Sequence, residues 1–483
     1  MTAGEPMGDT ARTRGSTRVE ARTKAALPAL TAFFLSSLYI RMLNATIFPA
    51  VAALAPLARE ASTGCGIATS LLVALVMLRR PSGIRGRLFA WLAPALAGGG
   101  HLVGWAGVAL DSGAIATAGL CLSSVGYTWL SLLVLVALCH LDFRRLAVGL
   151  PLASGLAYLC APVLEAIPLA GGVACLTYAL ATVPLINRSV RQPLELAASS
   201  PALDGATLLR PSSYLPLTNT LYVCMLLFSI ASGFGTRFFS DAGSLWGQVA
   251  AGGTLLALAA WNVRARGSDR LDALFSLVLI VTMAGFFLAL LPTASIAASL
   301  LLGVGSSIVG VLFDLVLVVV AARNPRAELL VFAWGGVMST LGAIIGANVG
   351  GAVGDAGAGS AMQFATVIVA IALLAYVQLG MRSFSFSTTV RGLRPDEGTA
   401  AQANPSHGHT IEQACEGVAR SHDLTPRELD VLVLLARGRN AAYIEEELTL
   451  AHNTVKSYIK HVYAKLGVHS QQELIDLVER TSA

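Results

Sequence analysis

The chain has 483 residues, 55% of them hydrophobic and 13% charged, with a formal net charge of +5. Soluble globular proteins carry about 25% charged residues, so burial of the whole sequence in one water-soluble core is excluded. Seven cysteines occur without a C-x-x-C pair, six of them in apolar segments, which predicts neither a disulfide framework nor a zinc site.

The first 24 residues form a polar, basic tail with Arg12, Arg14, Arg18, Arg22 and Lys24. The apolar stretch behind it runs past Ala50, too long for a cleaved signal peptide. Between residues 25 and 380, apolar runs alternate with short polar breaks. A bilayer core about 30 Å thick needs about 20 helical residues to cross it. Spans are predicted near 26–48, 65–78, 88–110, 113–139, 146–164, 168–186, 215–235, 244–262, 271–291, 294–322, 329–351 and 360–380. The polar stretch 187–214 divides these twelve spans into halves, 25–186 and 215–380.

Lysine and arginine set the expected orientation. With the N-terminus inside, the inner segments hold nineteen of them, and the opposite loops hold only Arg59 and Arg237. Both termini are therefore expected in the cytoplasm. The six-plus-six span count, the central linker and the charge pattern resemble the major facilitator superfamily, whose fold is built from such repeats. Gly342, Gly346 and Gly350 recur every fourth residue on one helical face. This spacing suits close helix packing within the chain better than a dimer face.

Ionisable residues inside spans are costly and point to function. Arg41 in the first span and Asp314 in the tenth stand out. At 1.5 Å per residue they lie roughly 22 Å and 13 Å deep, suited to a mutual pair or to a shared ligand. In the superfamily that the spans resemble, these two spans line the central cavity. Asn44, Tyr127, Asn219 and Arg237 are further candidates for sensing a small molecule there.

Residues 381–420 read as a flexible cytoplasmic linker, with helix expected only near Ile411–Ala419. Arg382, Arg391 and Arg394 suit anionic lipid headgroups. A soluble domain then occupies 421–483. Thr425-Pro426-Arg427-Glu428 is a helix start with a capping box. A short helix is predicted near Ala442–Leu448, a third over His452–Leu466 ended by Gly467, and a fourth over Gln471–Glu479. From Arg420 onward the domain carries eight Lys/Arg against nine Asp/Glu, yet the third helix has no acid. Lysines and hydrogen-bonding residues on one side of that helix suit a major groove and its phosphates.

Leu424–Leu429 (LTPREL), Leu435–Gly438 (LARG), Asn453–Lys456 (NTVK) and Lys465–Val468 (KLGV) closely resemble the LuxR-type helix-turn-helix domain. The chain departs from that family's usual residues at Glu445, Ala451 and Tyr458. The resemblance implies an all-α protein in a bacterial inner membrane: a polytopic bundle followed by a four-helix DNA-binding domain. It makes His452–Leu466 the recognition helix and Ala442–Leu448 its support. Duplex DNA is the implied partner, bound as a homodimer through the last helix. His452, Asn453, Thr454, Val455, Lys456, Lys460 and Lys465 are its DNA-binding candidates.

No nucleophile arrangement, metal-ligand spacing or phosphate-binding glycine loop is present, so no enzyme, cofactor or metal is expected. The sequence predicts a membrane-bound transcription regulator whose membrane domain senses a small molecule. A transporter whose activity is coupled to transcription, or a membrane domain serving only as anchor, are the alternatives.

Overall fold

The computed structural model describes residues 9–79, 86–167, 169–199, 215–238, 244–264, 270–288, 291, 295–322, 327–355, 360–382, 407–436, 444, 448, 452–468, 473–474 and 477–478. The chain separates into two compact units. The first comprises 1–209 and 217–393, and the second comprises 210–216 and 394–483.

The first unit is a bundle of α-helices. In chain order these are α1 (Asp9–Met42), a π-helical turn (Leu43–Ile47), α2 (Phe48–Ala52), α3 (Ala58–Arg79), α4 (Gly86–Ala109), α5 (Gly113–Leu138), α6 (Phe143–Glu165) and α7 (Ala170–Ser199). The second half follows with α8 (Leu215–Phe238), α9 (Ser244–Arg264), α10 (Arg270–Leu288), α11 (Ser295–Ala322), α12 (Glu328–Asp355) and α13 (Ser360–Arg382). Each predicted span has a helix here. Over the described residues, seven helices are long and apolar enough to cross a membrane, and shorter apolar helices cover Leu221–Gly235, Ser276–Leu288 and Val367–Leu379.

The helix predicted over 65–78 begins earlier, at Ala58. Arg59, Glu60, Ser62 and Thr63 hide its first two turns from a hydropathy reading, but Ser62 and Thr63 return their hydroxyls to the Arg59 carbonyl at 3.0 and 2.7 Å. The π-turn before α2 also has a local cause. Pro49 has no N–H to give the carbonyl four residues back, so regular α-bonding is broken there.

Glycine sets the closest helix approaches. A Cβ at Gly342 would meet the Leu226 carbonyl oxygen at 2.5 Å, and one at Gly350 would meet that of Phe234 at 2.7 Å. A Cβ at Gly346 would collide with the Ile230 carbonyl. The three-glycine face thus packs α12 onto α8 inside the chain. Gly107 of α4 likewise lies against the Ala116 backbone of α5, and Gly119 against that of Gly104.

The second unit contains α14 (His407–Ser421), α15 (Pro426–Ala436) and α16 (His452–Leu466). Its core joins Ala414, Cys415 and Val418 of α14 to Val431, Leu432 and Leu435 of α15 and to Val455, Val462 and Leu466 of α16. Ile444, Leu474 and Val478, from the predicted second and fourth helices, are buried in the same core. Most other residues of those two helices lie outside the described ones. The packed unit therefore begins upstream of residue 421, because α14 buries an apolar stripe that a linker reading leaves uncovered. All seven cysteines are free.

A membrane cavity and a basic C-terminal helix

Within the membrane unit a cavity of about 600 Å³ lies between the two halves of the bundle. Helices α1, α3, α5, α6, α11 and α12 supply most of its wall, with single residues from α2 and α8. At one end, where α3 begins and α12 nears its end, the lining residues Asn44, Arg59 and Asn348 are exposed. At the other end Leu132, Leu317 and Phe332 close the floor, each buried. Below that floor, Val318 and Val319 continue the buried run of α11, and the Cys139 thiol reaches the Val318 carbonyl at 3.8 Å. The lining is thus exposed at one end of the bundle and buried toward the other.

The structure brings four sequence-predicted residues to this cavity: Arg41, Asn44, Tyr127 and Asp314. Arg41 and Asp314 are not joined by an ion pair among the described residues. The Arg41 guanidinium carbon instead lies over the Tyr158 ring, 3.0 Å from its centroid, a cation–π contact. Its Nε is buried with no hydrogen-bond partner. Asn44 sits on the π-turn and donates to the Ile40 carbonyl at 2.7 Å. Asn219 and Arg237 fall on α8, with side chains outside the described residues.

Sequence reasoning missed a buried polar cluster at the cavity wall, to which Tyr39 and Ser123 belong. Tyr39 Oη lies 3.0 Å from His101 Nε2 and 3.2 Å from Ser123 Oγ, which is itself 3.0 Å from His101 Nε2. His101 is 1% exposed and its Nδ1 has no partner. The Tyr39 ring stacks on Tyr127 at 4.4 Å and meets Tyr178 at 5.0 Å. His101 is the only histidine in the fourth helix and no neighbour in sequence marks it. Its partners come from α1 and α5, 62 and 22 positions away. Glu60 also lines the cavity, with Oε2 buried and unpartnered.

In the second unit the predicted capping box is present. Glu428 N donates to Thr425 Oγ1 at 3.3 Å, and Thr425 N donates to Glu428 Oε2 at 2.8 Å. Gly467, at φ +67°, ends α16 in the left-handed region, and Val468 N donates to the Tyr463 carbonyl at 3.1 Å. That pattern is the Schellman closure. Asp423, at φ 49°, ends α14 the same way, with Leu424 N on the Ala419 carbonyl.

The outward face of α16 presents Thr454, Lys456, Ser457, Lys460 and His461, all exposed. Two predicted DNA residues make contacts inside the domain. Val455 is fully buried in the core, as its place on the inner stripe requires. Lys465 is bound within the domain: its Nζ donates to Glu428 Oε2 at 2.7 Å and to the Asp423 carbonyl at 2.9 Å. The Lys465 ammonium beside Glu428, with the Thr425 N–H, holds that carboxyl down at about 2. His452 and Asn453 begin α16, with side chains outside the described residues. Among the described residues no group of three or more His, Cys, Asp or Glu could hold a metal ion.

Residues 422–478 match the bacterial regulatory proteins, luxR family. The C-terminal unit carries a LuxR-type helix-turn-helix domain. Its curated relatives include the probable HTH-type transcriptional regulator GfsR of Streptomyces halstedii, 34% identical over 77 residues, which cover 16% of this chain and 32% of that protein. The HTH-type transcriptional activator RamA of Corynebacterium glutamicum is 36% identical over 79 residues, covering 15% of this chain and 28% of RamA. The chain thus spans about a third of the length of these relatives.

The membrane unit has solved neighbours of another kind. A major facilitator superfamily transporter, FucP, in the outward conformation aligns with 74% of this chain and 98% of its own, at TM-score 0.52 and 12% identity. A bacterial homologue of the iron transporter ferroportin in the outward-facing state aligns with 75% and 99%, at TM-score 0.55 and 13% identity. At such identity these neighbours show the fold alone. The chain thus joins a membrane unit that shares its fold with these transporters to a C-terminal segment, 422–478, that matches the luxR family.

Proposed function

We propose that the membrane domain senses a small molecule and controls the tethered DNA-binding domain. The observation that carries this reading is the cavity itself, where Arg41, Tyr127 and Asp314 from three helices face one space without pairing to each other. Charges kept in a membrane domain without mutual neutralisation are costly, and a ligand that neutralises them offsets that cost. The nineteen-to-two basic asymmetry supports an inner-membrane topology with both termini cytoplasmic. In that topology the cavity mouth faces away from the cytoplasm, so the molecule arrives from outside.

The ligand acts by binding two arrangements of the helical bundle unequally, since equal affinity shifts no equilibrium. That shift changes how two DNA-binding domains pair, through the last helix, on a duplex. His452, Asn453, Thr454, Lys456 and Lys460 carry the DNA contacts. The basic residues after α13 rest on anionic lipid headgroups.

Chromatin immunoprecipitation of the tagged full-length protein locates its promoters. On a reporter driven by such a promoter, Asp314→Asn and Arg41→Gln should change the output at equal membrane abundance and equal promoter occupancy. Output identical to wild type across growth conditions for both variants would leave the membrane domain as an anchor. Accumulation of a solute by vesicles carrying the protein would instead favour transport coupled to transcription. A periplasmically active phosphatase fused after Ala483 would overturn the topology.

A further inference from the structure

The cavity has two poles and an aromatic wall, and these restrict what it accepts. Arg41 is the positive pole. Tyr158 contacts the guanidinium, and the buried Nε has no hydrogen-bond partner, so an N–H donor is left for an acceptor. A planar guanidinium edge fits a carboxylate or phosphate in bidentate fashion. Asp314, on α11, is the negative pole, and no cation pairs with it among the described residues. Aromatic side chains line the same cavity. Tyr127 is fixed by its stack on Tyr39 at 4.4 Å, and Phe33 and Phe332 line the same space.

We propose that the ligand of this cavity is a small zwitterionic molecule with an apolar or aromatic body, its anionic group on Arg41 and its cationic group on Asp314. This inference rests on the reading of the cavity as a ligand site and names the ligand's class. A purely anionic ligand satisfies Arg41 but leaves the Asp314 carboxylate facing a second negative charge. A purely cationic one reverses the problem. A neutral apolar ligand removes water from both poles and returns nothing to either. Only a molecule with both charges satisfies both, and it does so with no change in the net charge of a low-dielectric space. Glu60 is a second carboxylate, but it sits in the first turn of α3 near the exposed mouth, so it guards the entrance and does not form the pole.

The test uses the full chain purified in detergent micelles, with its thermal unfolding midpoint read against concentration of four probes. These are L-phenylalanine and the dipeptide Phe-Phe, both zwitterions with different charge separations, and phenylalanine methyl ester and N-acetylphenylalanine, which keep one charge each. At least one zwitterion should raise the midpoint, with each single-charge analogue weaker by about tenfold or more, as a site built for a polar group rejects the analogue lacking it. Arg41→Gln and Asp314→Asn should each abolish the zwitterion response, and Glu60→Gln should retain it. Equal potency of the ester or the N-acetyl compound overturns the proposal. So does the absence of a response to both zwitterions, or loss of the response in Glu60→Gln but not in Asp314→Asn. The probe comparison on the wild-type chain stands even where a variant fails to fold. Binding of a zwitterion with no change at the reporter promoter would instead remove the sensing reading and leave the ligand class intact.

Discussion

Lys465, at the C-terminal end of α16, places its ammonium 2.7 Å from the buried carboxylate of Glu428 in the first turn of α15. Glu428 is 4% exposed and also closes the capping box with Thr425. One carboxylate therefore starts one helix and anchors the end of another. The same ammonium holds the Asp423 carbonyl, tying in the turn that leaves α14. This contact fixes α16 against the domain, while Lys456 and Lys460 stay exposed on its outward face.

Replacing Glu428 with Gln removes the charge-assisted bond and should destabilise the domain by about 2 kcal/mol. Lys465→Met should cost more, because it leaves the buried carboxylate uncompensated. Urea unfolding of the fragment from His407 to Ala483 measures both. The two variants ranked in the opposite order would show that the pair contributes little beyond the cap.

The pH dependence of that fragment has a defined sign. The Glu428 carboxyl is held at about 2, below its ordinary value near 4.5, so the folded state binds the proton more weakly than the unfolded one. The stabilisation is present in full above about pH 4.5 and is lost as pH falls toward about 2. The stability difference between wild type and Glu428→Gln should shrink across that window. A difference constant from pH 7 to pH 2.5 would contradict the pairing.

The DNA-binding unit needs α14. Cys415 and Val418 are 0% and 2% exposed, and removing α14 would bare the face of α15 that they cover. A fragment beginning at Ser421 should unfold at a lower temperature than one beginning at His407, or fail to fold. Equal melting of the two fragments would show that α14 is dispensable.

Lys456→Ala and Lys460→Ala should weaken DNA binding across sequences and lower the salt slope by about one unit for each phosphate no longer neutralised. Lys465→Met should leave the slope unchanged in any preparation that remains folded. A slope that moves with Lys465 and not with Lys456 would reassign the phosphate contacts.

In the membrane unit, Gly346→Val should prevent assembly of the second half. Its first side-chain carbon would collide with the Ile230 carbonyl, a backbone atom that no rotamer change relieves. Membrane abundance and protease resistance are the readouts. Gly253→Val, where a Cβ meets nothing within 4 Å, is the control and should behave as wild type.

Sequence by itself determined the elements and their class. Apolar runs near twenty residues dictate membrane helices whatever their partners, because the bilayer leaves no other way to satisfy the backbone. The capping box at Thr425, the Gly467 terminator and the one-sided lysines of α16 are local features, set within a turn or two of chain. They survive into the structure for that reason. Tertiary structure alone decided which side chains meet. Read by depth, Arg41 and Asp314 suit a mutual pair or a shared ligand. Yet the guanidinium finds the Tyr158 ring first, because helix rotation and neighbour placement are set by packing and not by depth. Lys465 is a DNA-binding candidate by its position in the motif, and only the tertiary structure shows its contact with a buried carboxylate 37 positions earlier. His101 had no local signal at all. Its role comes from Tyr39 and Ser123, brought to it by the glycine-mediated approach of α4 and α5 and the packing of α1, long-range contacts that no short window of sequence contains.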